Sequence, residues 1–383
     1  MEQVNGFYTD FWCYQGEKNN EIGITIAVKG GIVKSLYRNQ EEIVKINPAA
    51  GSIFLHALNE KRKSQGVTDW KCKIGRNGIY FSLITEKWKV EESLGQMVQL
   101  IYESQITEEE FLAAKQQTIN SLKQNFRHEM TRSWYYMFEF TDIGKRYTYN
   151  EWARALETIQ YDEFHKYIEE LVNPKNSVAI ANGEMEEWEV TSICAVLRKV
   201  QKSGTEYIDY GYALDENGIL DCHLKGNMDC DSLGALYFVF PDANATPTEK
   251  IFLLLYINEM LFREHGIVSV DAFDASIVYY RAPIREYRVE IENIWTEENV
   301  LAARRRLLQS FDNLIKDPIK FGVYEGELLF SGVDISQLIR YIQICDFEVI
   351  YRAYKNANVK IGNGAIINKG GIKNGRTTGI KTK

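Results

Sequence analysis

The chain has 383 residues, 45% of them apolar and 26% charged, with a formal net charge of −8. That length suggests two domains. The net negative charge argues against a general nucleic-acid binder, which needs a basic face, and no apolar run approaches the roughly 20 residues of a membrane span.

The N-terminus, MEQVNGFYTDFWCYQGEKNNE, lacks the basic start and apolar block of a signal peptide, so a cytoplasmic location is expected. Strands are predicted around 7–14, 22–29, 78–85 and 177–183, and helices at 49–64, 91–102, 107–128, 148–156 and 160–172. NSVAIANGEMEEWEV (176–190) reads as a β-branched strand, a glycine turn and an acidic helix start. The stretch 201–221 is polar and rich in turn residues, and is taken as a linker between a domain over 1–200 and one over 222–360. In the second domain, strands are expected near 234–240, 266–280 and 284–293, with helices at 247–263, 296–316 and 338–354. Residues 361–383 are rich in Gly, Asn and Lys and are expected to form a flexible basic tail.

The six cysteines form no C-x-x-C pair, so reduced and mostly buried thiols are expected. P-loop, nucleophile-elbow and dinucleotide-binding signatures are also absent from the sequence.

Two segments align without gaps: ITEEEFLAAKQQTINSL (106–122) and WTEENVLAARRRLLQSF (295–311), identical at seven of seventeen positions. Thr107 and Thr296 have the look of helix N-caps, each followed by acids that suit the positive end of a helix dipole. IQYDEFHKYIEEL (159–171) resembles IQICDFEVIYRAY (342–354) in the same order. Two matches in series point to a duplicated unit of roughly 190 residues. The fold class expected is α+β: two tandem homologous domains, each a mostly antiparallel sheet with helices on one face.

This duplication, the T-E-E-E-F-x-x-A-K helix and PKNSVAIANGEM (174–185) resemble the insulinase, pitrilysin and mitochondrial processing peptidase family of zinc peptidases. The resemblance implies a motif H-x-x-E-H on the first long helix of the first half. There two histidines one helical turn apart bind zinc, and the glutamate between them activates water. Anchored on Gly51, the histidine positions fall on Phe54 and Leu58 and the glutamate position on Ala57. All three chemical groups are missing. His56 and Glu60 form another pair at helical spacing, with Glu129 near the distance of the family's distal ligand, but two or three such groups still lack a base. His56 is therefore expected to be a packed or surface residue.

The resemblance thus implies a non-catalytic subunit that binds no metal or cofactor itself. Its partner would be a homologous, zinc-bearing peptidase subunit, with which it encloses a precursor peptide as a heterodimer. Chains of this length without zinc ligands are similar to the partner subunits of bacteriocin-maturation peptidases. A structural or peptide-binding protein outside proteolysis is the other class. Partner subunits of the family hold the peptide with an arginine and a tyrosine near R-E-x-x-G-L-x-Y. LFREHGIVSV (261–270) resembles that stretch, which makes Arg263 a substrate-holding candidate. Ser269 stands about where the tyrosine is expected, so Tyr279 and Tyr280 are the alternatives.

Overall fold

Thr107 and Thr296 each open a long helix and cap it. Thr107 Oγ1 accepts the Glu110 backbone N–H at 3.2 Å, and Thr296 Oγ1 accepts that of Asn299 at the same distance. The computed structural model describes residues 2–13, 20–31, 36–39, 42–67, 70–75, 77–127, 149–209, 222–226, 232–239, 246–265, 269–271, 277–281, 294–356 and 358–368.

In chain order the first half comprises β1 (Glu2–Val4), β2 (Phe7–Trp12), β3 (Glu21–Lys29), β4 (Leu36–Arg38), β5 (Ile43–Lys45), α1 (Ala49–Ser64), β6 (Trp70–Ile74), β7 (Gly78–Glu86), α2 (Val90–Glu103), α3 (Glu108–Asn125), α4 (Tyr149–Thr158), α5 (Tyr161–Glu170), β8 (Ser177–Asn182), α6 (Glu187–Arg198) and β9 (Ile208–Asp209). The second half comprises β10 (Cys222–Gly226), β11 (Ser232–Val239), α7 (Pro247–His265), β12 (Ser269–Asp271), β13 (Ile277–Arg281), α8 (Glu297–Ile315), α9 (Pro318–Phe330), α10 (Ile335–Ile344), α11 (Phe347–Asn356) and β14 (Asn358–Asn368).

The fold class is α+β. A six-stranded sheet runs β1-β2-β8-β3-β7-β6 and a five-stranded one β10-β14-β11-β13-β12. Among the described strands only the β2–β8 and β10–β14 pairings are parallel. A small third sheet joins β5, β4 and β9.

Alternation along β3 explains how the first sheet is covered. Ile22, Ile24, Ile26 and Val28 share one buried cluster with Phe54 and Leu58 of α1 and Phe111 of α3. Ala27 belongs instead with Tyr80, Val178 and Ile180 to a cluster containing Phe321 and Leu328 of α9. Helices of the first half thus cover one face, while a helix of the second half covers the other. That is why β3 reads apolar almost throughout rather than alternating.

Small residues let α9 come close. A Cβ on Gly322 would lie 2.0 Å from Thr25 Oγ1, and one on Gly326 would lie 2.7 Å from the Tyr80 ring. On the strand side, a Cβ on Gly23 would lie 2.1 Å from Pro318. Beneath this contact Thr25 and Ser82 share a buried hydrogen bond of 2.8 Å. Asn182, at the end of β8, donates to the Ile315 carbonyl at 2.9 Å and so caps the C-terminus of α8.

Four sequence expectations need revising. The start of the expected linker is anchored: Tyr207 is fully buried, its N–H donates to Asn176 Oδ1 at 2.8 Å, and Ile208–Asp209 form β9. Tyr207 carries that attachment through its side chain, whereas Ile208 is 68% exposed and joins through backbone pairing with Arg38. The helix expected over 338–354 is two helices, α10 and α11, broken at Cys345–Asp346, where Asp346 Oδ1 caps the Val349 N–H at 2.9 Å. Residues 361–368, assigned to the tail, continue strand β14 between β10 and β11, as the run A-I-I allows. The span 266–280 holds two strands, β12 and β13, rather than one. The strand expected at 284–293 lies outside the described residues.

Candidate functional site

Helix α1 starts against the sheet because Gly51 permits it. A Cβ there would fall 2.3 Å from the Gly30 carbonyl oxygen. Gly30 itself has φ +116°, and a Cβ on it would strike the Tyr167 ring at 2.5 Å. The glycine that anchors the motif alignment therefore sits at a close approach of two backbones.

Phe54 and Leu58, one turn apart on this helix, are fully buried, and Ala57 is 6% exposed. The Phe54 ring meets Phe81 of β7 edge-on at 6.4 Å and Tyr167 of α5 at 5.9 Å. Trp70 of β6 closes the cluster against Phe81 at 5.6 Å. The three positions offer no nitrogen, oxygen or sulfur side-chain ligand, and aromatic rings fill the space around them. Among the described residues no group of three His, Cys, Asp or Glu side chains could hold a metal ion.

His56 lies half-buried. Burial lowers its pKa, with Lys63 acting in the same direction and Glu60 against, so the imidazole is neutral at pH 7. Glu60 is engaged elsewhere, in an ion pair of 2.7 Å with Lys63. Glu129 lies outside the described residues. Arg263 falls in α7 and Tyr279 and Tyr280 in β13, where they pair with Ala235 and Gly234 of β11. Their side chains lie outside what is described.

Sequence reading missed the strand that borders this cluster. Among the described residues β6 stands at the end of the six-stranded sheet, paired with β7 alone. Its sequence, WKCKI, alternates perfectly and runs into a Gly-Arg-Asn-Gly turn before a strong strand, which is a hairpin signal. The turn is closed by the Gly75 N–H to the Gly78 carbonyl at 2.8 Å. From that bonded pair, antiparallel alternation places Lys73 and Lys71 in the ladder and turns the backbone of Ile74, Cys72 and Trp70 outward. The Trp70 carbonyl agrees, since it accepts from Arg62 Nη1 at 2.7 Å. Cys72 and Ile74 are left as the outward backbone groups beside α1. The Cys72 thiol is pushed up to about 11 by burial, so it is no thiolate nucleophile at neutral pH.

The turn is also held from the second half. Glu327 of α9 is 6% exposed and accepts the Asn77 N–H at 3.3 Å, while Asn77 Nδ2 meets Ser331 Oγ at 3.2 Å. Helix α9 thereby fixes both the covered face of the sheet and the hairpin that presents its edge strand.

Solved structures share this fold. An M16-like peptidase from Alicyclobacillus acidocaldarius superposes with TM-score 0.72 at 11% identity, over 96% of this chain and 97% of that one. The fold is that of the M16-like peptidases. A peptidase M16 inactive domain from Pseudomonas fluorescens matches with TM-score 0.65 at 10% identity, over 96% of this chain and 97% of that one. The periplasmic protease PqqL from Escherichia coli matches with TM-score 0.62 at 13% identity, over 95% of this chain but 45% of that one. The M16-like unit seen here is thus the size of about half of PqqL. No family model matches the sequence, and no curated protein matches it. No described helix is long and apolar enough to cross a membrane.

Proposed function

We propose that this chain is the non-catalytic, peptide-holding subunit of a heterodimeric zinc peptidase. The observation that carries this reading is the aromatic filling around Phe54, Ala57 and Leu58 beside an edge strand whose Cys72 and Ile74 backbone groups have no strand partner among the described residues. An M16-like fold with no metal ligands at those positions has lost the means to cut. It retains an edge at which an extended peptide can be added as a seventh strand. Exposed Lys71 and Lys73 flank that edge, guard it against self-association and favour an acidic peptide.

In this division of labour, zinc and the general base belong to a homologous partner subunit. This chain completes the enclosure and fixes the peptide, with Arg263 and Tyr279 or Tyr280 as the side chains that hold it. The substrate is a precursor peptide in the cytoplasm, and leader removal in bacteriocin maturation is the process that fits a chain of this size and chemistry.

Co-expression with a genomically neighbouring H-x-x-E-H protein tests the proposal. The expected result is a one-to-one complex whose peptidase activity falls on removal of this chain. A partner equally active alone overturns it and leaves a peptide-binding or structural protein with no part in cleavage.

A further inference from the structure

One end of the six-stranded sheet carries three tryptophans in the same local arrangement. Trp12 ends β2, Trp88 lies in the short 3-10 turn Lys87–Lys89 after β7, and Trp188 lies in the first turn of α6 after β8. In each case the indole N–H donates to a carboxylate two residues earlier. Trp12 bonds Asp10 at 2.6 Å, Trp188 bonds Glu186 at 3.2 Å, and Trp88 bonds Glu86. The segments are tied together. The Lys87 N–H reaches the Asn20 carbonyl at 2.9 Å, and the Gly183 N–H reaches that of Trp12 at 2.9 Å. Lys87 Nζ also pairs with the buried Glu189 at 3.4 Å, which joins the Trp88 turn to the Trp188 helix.

Trp12 packs on Phe321, but Trp88 is 71% and Trp188 50% exposed. Two large rings held by hydrogen bonds and left in water are not explained by packing. With their N–H groups already bonded, these indoles have no donor left for a sugar hydroxyl or a phosphate, and offer a ligand their π faces. The exposed charge beside them is mainly negative: Glu86, Glu91, Glu92, Glu186 and Glu187, against Lys89. That disfavours nucleic acid and anionic membranes. A π face beside carboxylates is a site for a cation. Lys89 shows the contact in place, its ammonium 4.7 Å from the centre of the Trp88 ring. Among the described residues no cation stands over Trp188.

We propose that this rim is a docking surface for a basic segment of a partner polypeptide, whose arginine or lysine side chains stack on Trp188 and Trp88 between Glu86 and Glu186. It goes beyond the peptide-holding role and does not depend on strand β6.

Fluorescence anisotropy of a labelled (Gly-Arg)4 peptide at low salt, with (Gly-Glu)4 as control, tests the surface. Binding of the arginine peptide alone is expected. A W88A/W188A variant should bind about tenfold more weakly, the scale of two exposed cation–π contacts, with an unchanged Tm because both rings are exposed. E86Q/E186Q keeps the hydrogen-bond acceptors and should also weaken binding. The proposal is overturned if the double tryptophan variant binds as tightly as the wild type, since diffuse negative charge then suffices. It is equally overturned if the arginine peptide does not bind, or if the tryptophan substitutions abolish self-association instead. Cys72→Pro should leave this binding intact, which separates failure here from failure of the edge-strand reading.

Discussion

Gly322 of α9 and Thr25 of β3 stand so close that a Cβ on the glycine would lie 2.0 Å from the threonine hydroxyl oxygen. The contact joins the two halves of the chain at the middle of the first sheet, where neither backbone has room to retreat.

Gly322→Ala is expected to lower stability by about 1–3 kcal/mol, the usual cost of overpacking, despite alanine's better helix propensity. A lower Tm with an otherwise native circular dichroism spectrum is the predicted result. An unchanged or raised Tm would show that α9 does not sit at this distance.

Glu325, on the same helix, is fully buried, beside the Asp10 carboxylate. Burial raises its pKa from 4.5 to about 10, with the Asp10 and Asp334 carboxylates pushing the same way. The folded protein therefore holds this group neutral while the unfolded chain ionises it. Its contribution to stability is greatest below pH 4.5 and falls as pH rises towards about 10. Glu325→Gln should remove that slope and raise Tm at neutral pH. Parallel pH–Tm curves for wild type and variant would contradict the assignment.

Cys72→Pro removes a backbone N–H that the β7 ladder does not use, and an edge strand tolerates proline there. Peptide binding should be lost while Tm changes little. Retained binding would place the peptide away from β6.

Zinc at ~100 μM is expected to leave Tm unchanged, because a ligand that binds the native state must raise it. Phe54→Ala, by contrast, should cost about 3–5 kcal/mol through the cavity it opens among Phe81, Tyr167 and Leu58. A Tm that rises with zinc would mean a ligand set other than the positions that Gly51 anchors.

The repeat, both capping threonines and most long elements of the first half were legible in the residues, because capping and hydrophobic period are local. Helix α9 was not. PIKFGVYEGELLF carries two glycines, poor helix formers, and is apolar on nearly every side. Its glycines make sense only against Thr25 and Tyr80, roughly 250–300 residues earlier in the chain. Strand β6 carried a readable alternation but only five residues of it, and its place at the sheet edge follows from pairing, which is non-local.

The reach of α9 across the chain also bears on biosynthesis. Strand β8 completes the first sheet, yet the helix that covers its second face follows only after roughly 150 further residues, which at 5–20 residues per second is on the order of ten to thirty seconds of translation. During that interval Tyr80, Val178 and Ile180 lack their partner. The nascent chain exposes a half-finished sheet to the cell, and a chaperone or an early-arriving second subunit is what would shield it.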